Sequence, residues 1–288
     1  MRILVTGSEG MLGGAVVSRL GAAHEVRGVD RRDGDLTREK EARALCDGFD
    51  PERIIHCAAW TDVDAAEADF EGARAVNATA TGFLADWCRG SGAALTYLST
   101  DYVFRGAPRG GGYDEEDERD PINAYGRSKA EGEELVAALG DAGQIVRTSW
   151  LFGDGPVHFP RTILRLLSER ESLSVVDDQE GCPTYAEDLA EVLAFLAEAG
   201  RGGIYHATNA GTCTWFDLAR EVARRGGHDP ERIRPCGSEA YPRPAVRPEC
   251  SVLRSRRLEE LGCAPRPDWR DALDRYLKLL DSRSVRFP

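Results

Sequence analysis

Tyr125 and Lys129 stand four residues apart in Tyr125-Gly126-Arg127-Ser128-Lys129, where a helical pattern begins. That spacing puts both side chains on one helix face, so the ammonium can approach the phenol oxygen. A nearby cation favours phenolate and is expected to draw the tyrosine pKa down from its reference of about 10, making Tyr125 a usable proton donor and acceptor. A Tyr/Lys pair at this spacing is also common on solvated helices. The tetrapeptide Ser99-Thr100-Asp101-Tyr102 adds weight, because it closes a predicted strand at the end where ligands bind in open α/β sheets. A hydroxyl there can hydrogen-bond a carbonyl that Tyr125 protonates.

A second group of residues lies at the N-terminus. Gly7-Ser8-Glu9-Gly10-Met11-Leu12-Gly13 follows the first predicted strand and opens a helix. Glycines at Gly7, Gly10 and Gly13 permit a tight turn, let the backbone approach a pyrophosphate and let the helix pack close to the sheet, while the helix N-terminus favours an anion. Alone they would serve any tight βα turn. Asp30, at the end of the next strand, is placed for an adenosine ribose hydroxyl, and Arg31 and Arg32 follow at once. An arginine there can pair with the 2′-phosphate of NADP, whereas an aspartate favours NAD, so the cofactor reads as NADPH or NADH with a slight preference for NADPH. Asp35 and Leu36 are candidates for the adenine, and Ala58 and Ala59 end the third strand with side chains small enough for a cofactor to lie across.

Positioning both groups requires a regular scaffold. Predicted strands Arg2–Thr6, Glu25–Val29, Arg53–Cys57, Ala94–Ser99 and Gln144–Ser149 alternate with helical stretches Met11–Leu20, Phe70–Gly90 and Ala124–Leu139. Such alternation gives βαβ units and a parallel sheet covered on both faces. The expected class is α/β, a Rossmann-type doubly wound parallel sheet with a smaller C-terminal α/β substrate lobe. The dinucleotide-binding domain is expected over 1–151, and 152–288 is expected to form mainly the substrate lobe, with segments returning to the first domain. Gly153, Gly155, Pro156 and Pro160 loosen the pattern before helices at Arg161–Glu169, Ala186–Ala199 and Trp215–Arg225 and a strand at Gly203–Ala207. Pro242, Pro244 and Pro248 make 235–248 neither helix nor central strand, an ordered loop of the kind that closes over ligands. The stretch 106–120 reads as a mobile surface loop with little to bury.

With 288 residues, the chain has room for one large α/β domain and a smaller lobe. A formal net charge of −12 argues against non-specific nucleic-acid binding. Cysteines at 46, 57, 88, 182, 213, 236, 250 and 263 include no CxxC and no zinc spacing, so they read as reduced structural thiols and no metal site is expected. No basic-then-apolar leader opens the chain and no apolar stretch approaches the roughly 20 residues needed to span a bilayer. A cytoplasmic protein with no membrane partner is expected.

Taken together, the glycine turn, Ser99-Thr100-Asp101-Tyr102-Val103-Phe104, Tyr125 to Lys129 and Arg147-Thr148-Ser149-Trp150-Leu151-Phe152-Gly153 resemble the extended short-chain dehydrogenases, and among them the family of dTDP-4-dehydrorhamnose reductases. The resemblance continues through Ala58 to Asp64 with Glu67, Asp178 to Thr184, Ile204 to Asn209 and Arg247 to Ser251, and so covers nearly the whole chain. It implies Thr100, Tyr125 and Lys129 as the catalytic trio, with Tyr125 supplying a proton, Lys129 holding the nicotinamide ribose and tuning Tyr125, and Thr100 polarising the carbonyl of a nucleotide-sugar substrate. It further implies Tyr102 and Trp150 as linings of the sugar pocket and Arg247 as a partner for the diphosphate, and it leaves a homodimer open. Core packing is the competing reading for Trp150. His158-Phe159 stands where the family usually has Asn-Phe, which puts one substrate hydrogen bond in doubt, and the loop between Phe104 and Asp114 is longer and richer in glycine. Three other functions fit parts of the pattern: a reductase or epimerase of another nucleotide sugar, a non-catalytic NADP-binding regulatory subunit, and a structural interaction domain.

Overall fold

The computed structural model describes residues 1–107 and 111–282. Five parallel strands appear close to where they are expected: β1 (Arg2–Thr6), β2 (Glu25–Val29), β3 (Arg53–His56), β4 (Ala94–Thr100) and β5 (Gly143–Thr148). A sixth, Gly203–His206, pairs with β5, giving the order β2-β1-β3-β4-β5 and then 203–206, every pairing parallel. The order reverses between β1 and β3, and in sheets of this type ligands occupy the crevice at the C-terminal ends on either side of that reversal.

Alternate side chains of each central strand enter different cores, as the two-residue period demands. Ile3 and Val5 of β1 and Ile55 of β3 pack with helix α1 (Met11–Leu20) and with helix Ala186–Ala199. Leu4 and Ile54 point the other way, toward Leu45 of α2 (Glu39–Asp47) and Leu84 of helix Ala80–Ser91. Burial on both faces explains the unbroken apolar runs of these strands. A separate core, drawn from Phe152 to Leu280, gathers helices Phe159–Glu169, Trp215–Arg225 and Trp269–Ser282. Strands Leu173–Val176 and Ile233–Cys236 pair beside it. Among the described residues no helix is long and apolar enough to cross a membrane.

Several expectations are corrected. The helix expected over 70–90 runs without a break from Phe70 to Ser91, but it carries a π-helical turn at Ala75–Thr79 between Phe70–Arg74 and Ala80–Ser91 that was not anticipated. Helix Trp269–Ser282 was not anticipated, nor was the pair of strands in the C-terminal part. Within 235–248, Pro235 and Cys236 complete an edge strand and Ser238–Ala240 makes one 3₁₀ turn. An edge position tolerates the proline because a ladder donor is dispensable there. The stretch 106–120, partly outside the described residues, is not free of buried groups. Tyr113 stacks on Phe104 with ring centroids 4.1 Å apart, and its hydroxyl accepts from the amides of Gly106 and Ala107. Buried Glu115 accepts from the amide of Arg257 at 3.1 Å. The aromatic ring and the carboxylate, rather than the glycines around them, decide how this segment is held.

Candidate active site

Between the C-terminal ends of β1, β3, β4 and β5 lies a cleft of about 1060 Å³. It is lined by the turn residues Gly7, Gly10, Met11, Leu12 and Gly13, by Asp30, Arg31, Asp35 and Leu36, by Ala58 and Ala59, and by Thr100, Tyr125, Lys129 and Trp150. Three of the expected site residues, Arg32, Tyr102 and Arg247, stand outside that lining. A second, shallower cavity of about 750 Å³ runs from Glu115 along Ala130, Glu131 and Glu134, and none of the expected site residues lines it.

The glycine turn is shaped by backbone contact. Gly7 has φ +69°, and a Cβ there would stand 2.7 Å from the amide nitrogen of Ala58; a Cβ on Gly13 would stand 2.0 Å from the Gly7 carbonyl oxygen. No side chain larger than hydrogen fits either position without moving backbone. α1 then starts with no side-chain cap and no acidic residue in its first turn, so its leading amides face the cleft uncompensated. That end suits an anion, and the residues present fit a dinucleotide diphosphate. Asp30 accepts from the amides of Glu9 at 3.0 Å and Arg31 at 2.8 Å, which fixes its carboxylate at the tip of β2. The two arginines part company here. Arg32 turns away onto Glu9 at 3.0 Å and is mostly exposed, while Arg31 lines the cleft.

The chemical end is built by β4 and helix Ala124–Ala137. Asn123 caps that helix by accepting from the Gly126 amide at 2.8 Å, and Glu67 accepts from the Ala124 amide at 2.6 Å, so its first turn is held from two sides. Tyr125 thereby faces Thr100 at the end of β4, and the two hydroxyls hydrogen-bond. Contrary to the expectation that Lys129 would lower it, the Tyr125 pKa is raised, because burial of the phenol dominates and nearby Asp101 adds to the rise; the Thr100 hydrogen bond opposes them. Lys129 is 2% exposed, and its ammonium sits over the Tyr97 ring at 4.1 Å. Burial brings its own pKa down to about 7, against the pull of Glu133 and Cys57. A lysine close to neutrality is a weaker perturber than the full ammonium assumed from sequence.

Around these lie groups the sequence reading did not single out. Asn77, in the π-helical turn, is fully buried; it donates to Ser128 Oγ at 2.9 Å and to the Trp60 carbonyl at 3.1 Å, and accepts from the Trp60 amide at 2.8 Å. Its own carbonyl accepts from Tyr97 Oη at 2.8 Å, the ring beneath Lys129. Irregular turns of this kind concentrate at functional sites, yet nothing local in Val76-Asn77-Ala78-Thr79 announces one. Glu133, one turn beyond Lys129, accepts from Ser99 Oγ at 2.6 Å and from Arg147 Nε at 2.8 Å.

On the other side of Tyr125, Tyr102 meets it edge to face at 5.9 Å and hydrogen-bonds Arg247. Arg247 is anchored by Asp64 at 2.5 Å, and Asp64 also accepts from the amide of Ala245. Those bonds hold the Asp64 carboxyl below its ordinary pKa and tie the proline-rich segment to the rim of the sheet. Trp150, half-buried with φ +47°, is both packed and presented, since one part of it lines the cleft while Trp215 stacks on it at 3.5 Å. His158 is spent internally: its Nε2 lies 2.8 Å from Tyr276 Oη, and burial lowers its pKa to about 4, so it is neutral. Among the described residues no group of three or more His, Cys, Asp or Glu side chains could hold a metal ion.

A doubly wound parallel sheet, a glycine turn at its switch point and a Thr/Tyr/Lys set at the end of β4 define a short-chain dehydrogenase/reductase of the extended kind. More narrowly, the chain belongs to the family described as RmlD substrate binding domain, whose model matches residues 1–282. It is 42% identical to a dTDP-4-dehydrorhamnose reductase of Mycolicibacterium smegmatis, over 94% of this chain and 84% of that one. It is also 42% identical to a dTDP-4-keto-6-deoxy-D-glucose reductase of Streptomyces niveus, over 98% of each. Among solved structures, a dTDP-4-dehydrorhamnose reductase of Bacillus anthracis in complex with NADP superposes with a TM-score of 0.92 at 36% identity, covering 96% of this chain and 99% of that one.

Proposed function

We propose that this protein reduces the C4 keto group of a dTDP-4-keto-6-deoxysugar, dTDP-4-dehydro-L-rhamnose to dTDP-L-rhamnose in the first instance, with NADPH favoured over NADH. The observation that carries the reading is the gathering of Thr100, Tyr125 and Lys129 at one end of a cleft whose other end is the glycine turn and Asp30. Relatives named for 4-keto sugar reduction support the substrate class, and the solved relative in complex with NADP supports the cofactor.

Gly7, Gly10, Met11, Leu12 and Gly13 would hold the cofactor diphosphate on the free amides of α1. Asp30 with Arg31 would take the adenosine ribose, Asp35 and Leu36 the adenine side, and Ala58 and Ala59 the floor. The bound dinucleotide supplies a hydride to the carbonyl carbon. As charge develops on the carbonyl oxygen, Tyr125 transfers its proton there, and Thr100 stabilises the same oxygen by a hydrogen bond that strengthens with that charge. Burial keeps Tyr125 protonated before reaction, which suits a proton donor. Lys129 orients the ribose and favours the phenolate left behind. Tyr102, Trp150 and Arg247 frame the sugar and its diphosphate. The cysteines in the described residues are all free, which fits a reducing compartment, and we place the protein in the cytoplasm.

The test is oxidation of NADPH and NADH, followed by absorbance, with dTDP-4-dehydro-L-rhamnose and with dTDP-4-keto-6-deoxy-D-glucose, for the wild type and Tyr125→Phe. Turnover of either sugar that the substitution abolishes while NADPH still binds upholds the reading. Tight NADPH binding with no turnover of either sugar overturns it.

A further inference from the structure

Asp101, the residue after Thr100, lies in the wall of the cleft at 2% exposure. Its Oδ1 accepts from Thr100 Oγ at 2.9 Å, and its Oδ2 is buried with no hydrogen bond made to that atom, although the Ser251 hydroxyl lies close enough to the carboxyl group to support it. A carboxylate in such a place is costly, since a buried ionised group is tolerated only when paired or fully hydrogen-bonded. Thr100 has a single proton. While Asp101 is ionised, that proton points at Asp101, and the Thr100 oxygen, already taken by the amide of Tyr102 at 3.2 Å, faces Tyr125 only as an acceptor. Once Asp101 is protonated it can itself donate to Thr100 Oγ, and the Thr100 proton is released toward Tyr125 and the carbonyl oxygen that Tyr125 protonates.

We propose that Asp101 is a positioning residue whose protonation state sets the direction of the Thr100 hydroxyl, and with it the ability of Thr100 to polarise the substrate carbonyl. This rests on the ketosugar reductase reading above. Burial places the Asp101 pKa near the working range, raised to about 6, with hydrogen bonds from Ser251 and Thr100 pulling against the rise. The other titratable groups facing it are Tyr125 from the helix opposite, Tyr102 on its own turn with Arg247 behind, and Cys182. The three acids among them are held protonated above neutrality, so Asp101 is the group of this set that changes charge between pH 5 and 7. Lys129, one turn further along the helix, titrates near 7 and is separable by mutation.

The experiment is the pH dependence of kcat/KM for ketosugar reduction from pH 5 to 8 in the wild type, Asp101→Asn and Ser251→Ala, with NADPH binding and a thermal melt for each. The wild type is expected to lose about tenfold in rate as pH rises through about 6, the worth of one neutral hydrogen bond. Asp101→Asn carries no charge at any pH and is expected to lack that limb while keeping any limb near 7. Removing the Ser251 hydroxyl leaves the carboxylate less supported, so in Ser251→Ala the midpoint moves to higher pH. A wild-type profile flat through pH 6, a limb that persists in Asp101→Asn, or a midpoint unmoved in Ser251→Ala each overturns the proposal. Should Asp101→Asn fail to fold, Ser251→Ala decides alone. Absence of wild-type turnover at every pH would instead count against the reductase reading itself.

Discussion

Trp150 lies face to face on Trp215, ring centroids 3.5 Å apart and planes 9° from parallel. The stack continues on both sides: Phe159 packs against Trp215 at 4.5 Å, and Gly181 lies so close under Trp150 that a Cβ would come within 2.5 Å of its indole. The left-handed backbone of Trp150 stores strain of the order of 1–3 kcal/mol, which only such a sandwich can hold. Trp215 is therefore what holds Trp150 against the cleft. In Trp215→Ala the loss of one aromatic pair, about 1 kcal/mol beyond burial, is expected to raise the ketosugar KM roughly five- to tenfold, with the dissociation constant for NADPH unchanged. Steady-state kinetics alongside a fluorescence titration with NADPH measure both; weakening of cofactor and sugar together would show that the stack merely holds up the fold.

The buried pair of Glu133 and Arg147, both 1% exposed and 2.7 Å apart, ties β5 to the helix Ala124–Ala137. Glu133→Gln strands the Arg147 guanidinium among Phe104, His206 and the Glu115 carbonyl, and breaking one partner of a buried pair costs about 3–5 kcal/mol. The double variant Glu133→Gln/Arg147→Met removes both charges and is expected to regain part of that loss in urea unfolding. The same substitution acts on the chemistry. Glu133 holds the Lys129 pKa up against burial, so without its charge the ammonium gives up its proton below pH 7, and the alkaline limb of reduction moves to lower pH. A double variant no more stable than Glu133→Gln, or an alkaline limb left in place, would contradict this account.

What the sequence made legible were features whose meaning is local. The turn from Gly7 to Gly13 and the spacing of Tyr125 and Lys129 are set within one or two helical turns, and the central strands β1, β3 and β4 announce themselves by apolar runs dictated by burial on both faces. The groups that support the site depend on partners in other elements of the chain: Asn77 on Ser128, Glu133 on Arg147 of β5, Asp64 on Arg247, Trp150 on Trp215. No periodicity encodes those meetings. The error over Tyr125 has the same origin, because the helical spacing showed that Lys129 is near but not that the cleft strips water from both side chains. Helix Trp269–Ser282, by contrast, carries a local signal that the sequence reading left unused, since Trp269, Leu273, Tyr276, Leu277 and Leu280 recur at helical spacing.

Arg31 and Arg32 are indistinguishable in sequence as readers of an adenosine 2′-phosphate, and the structure separates them. Arg32 is 83% exposed on its side chain and engaged by Glu9, an ion pair of the kind worth 0–1 kcal/mol at most. Arg31 opens onto the cleft beside Asp30, whose carboxylate is held by the amides of Glu9 and Arg31 and so cannot swing away. A charge-assisted bond to phosphate contributes about 1.5–3 kcal/mol, so Arg31→Ala is expected to weaken NADPH binding by about tenfold or more while sparing NADH, which lacks the phosphate. Arg32→Ala frees Glu9 near the same place, and the added repulsion should cost NADPH only a few-fold, in line with a screened surface charge. Titrating both cofactors into the two variants at low and high salt measures the difference. Equal losses for Arg31→Ala with NADPH and NADH would mean that Arg31 shapes the turn rather than reads the phosphate, and a larger loss in Arg32→Ala would transfer that role to its neighbour.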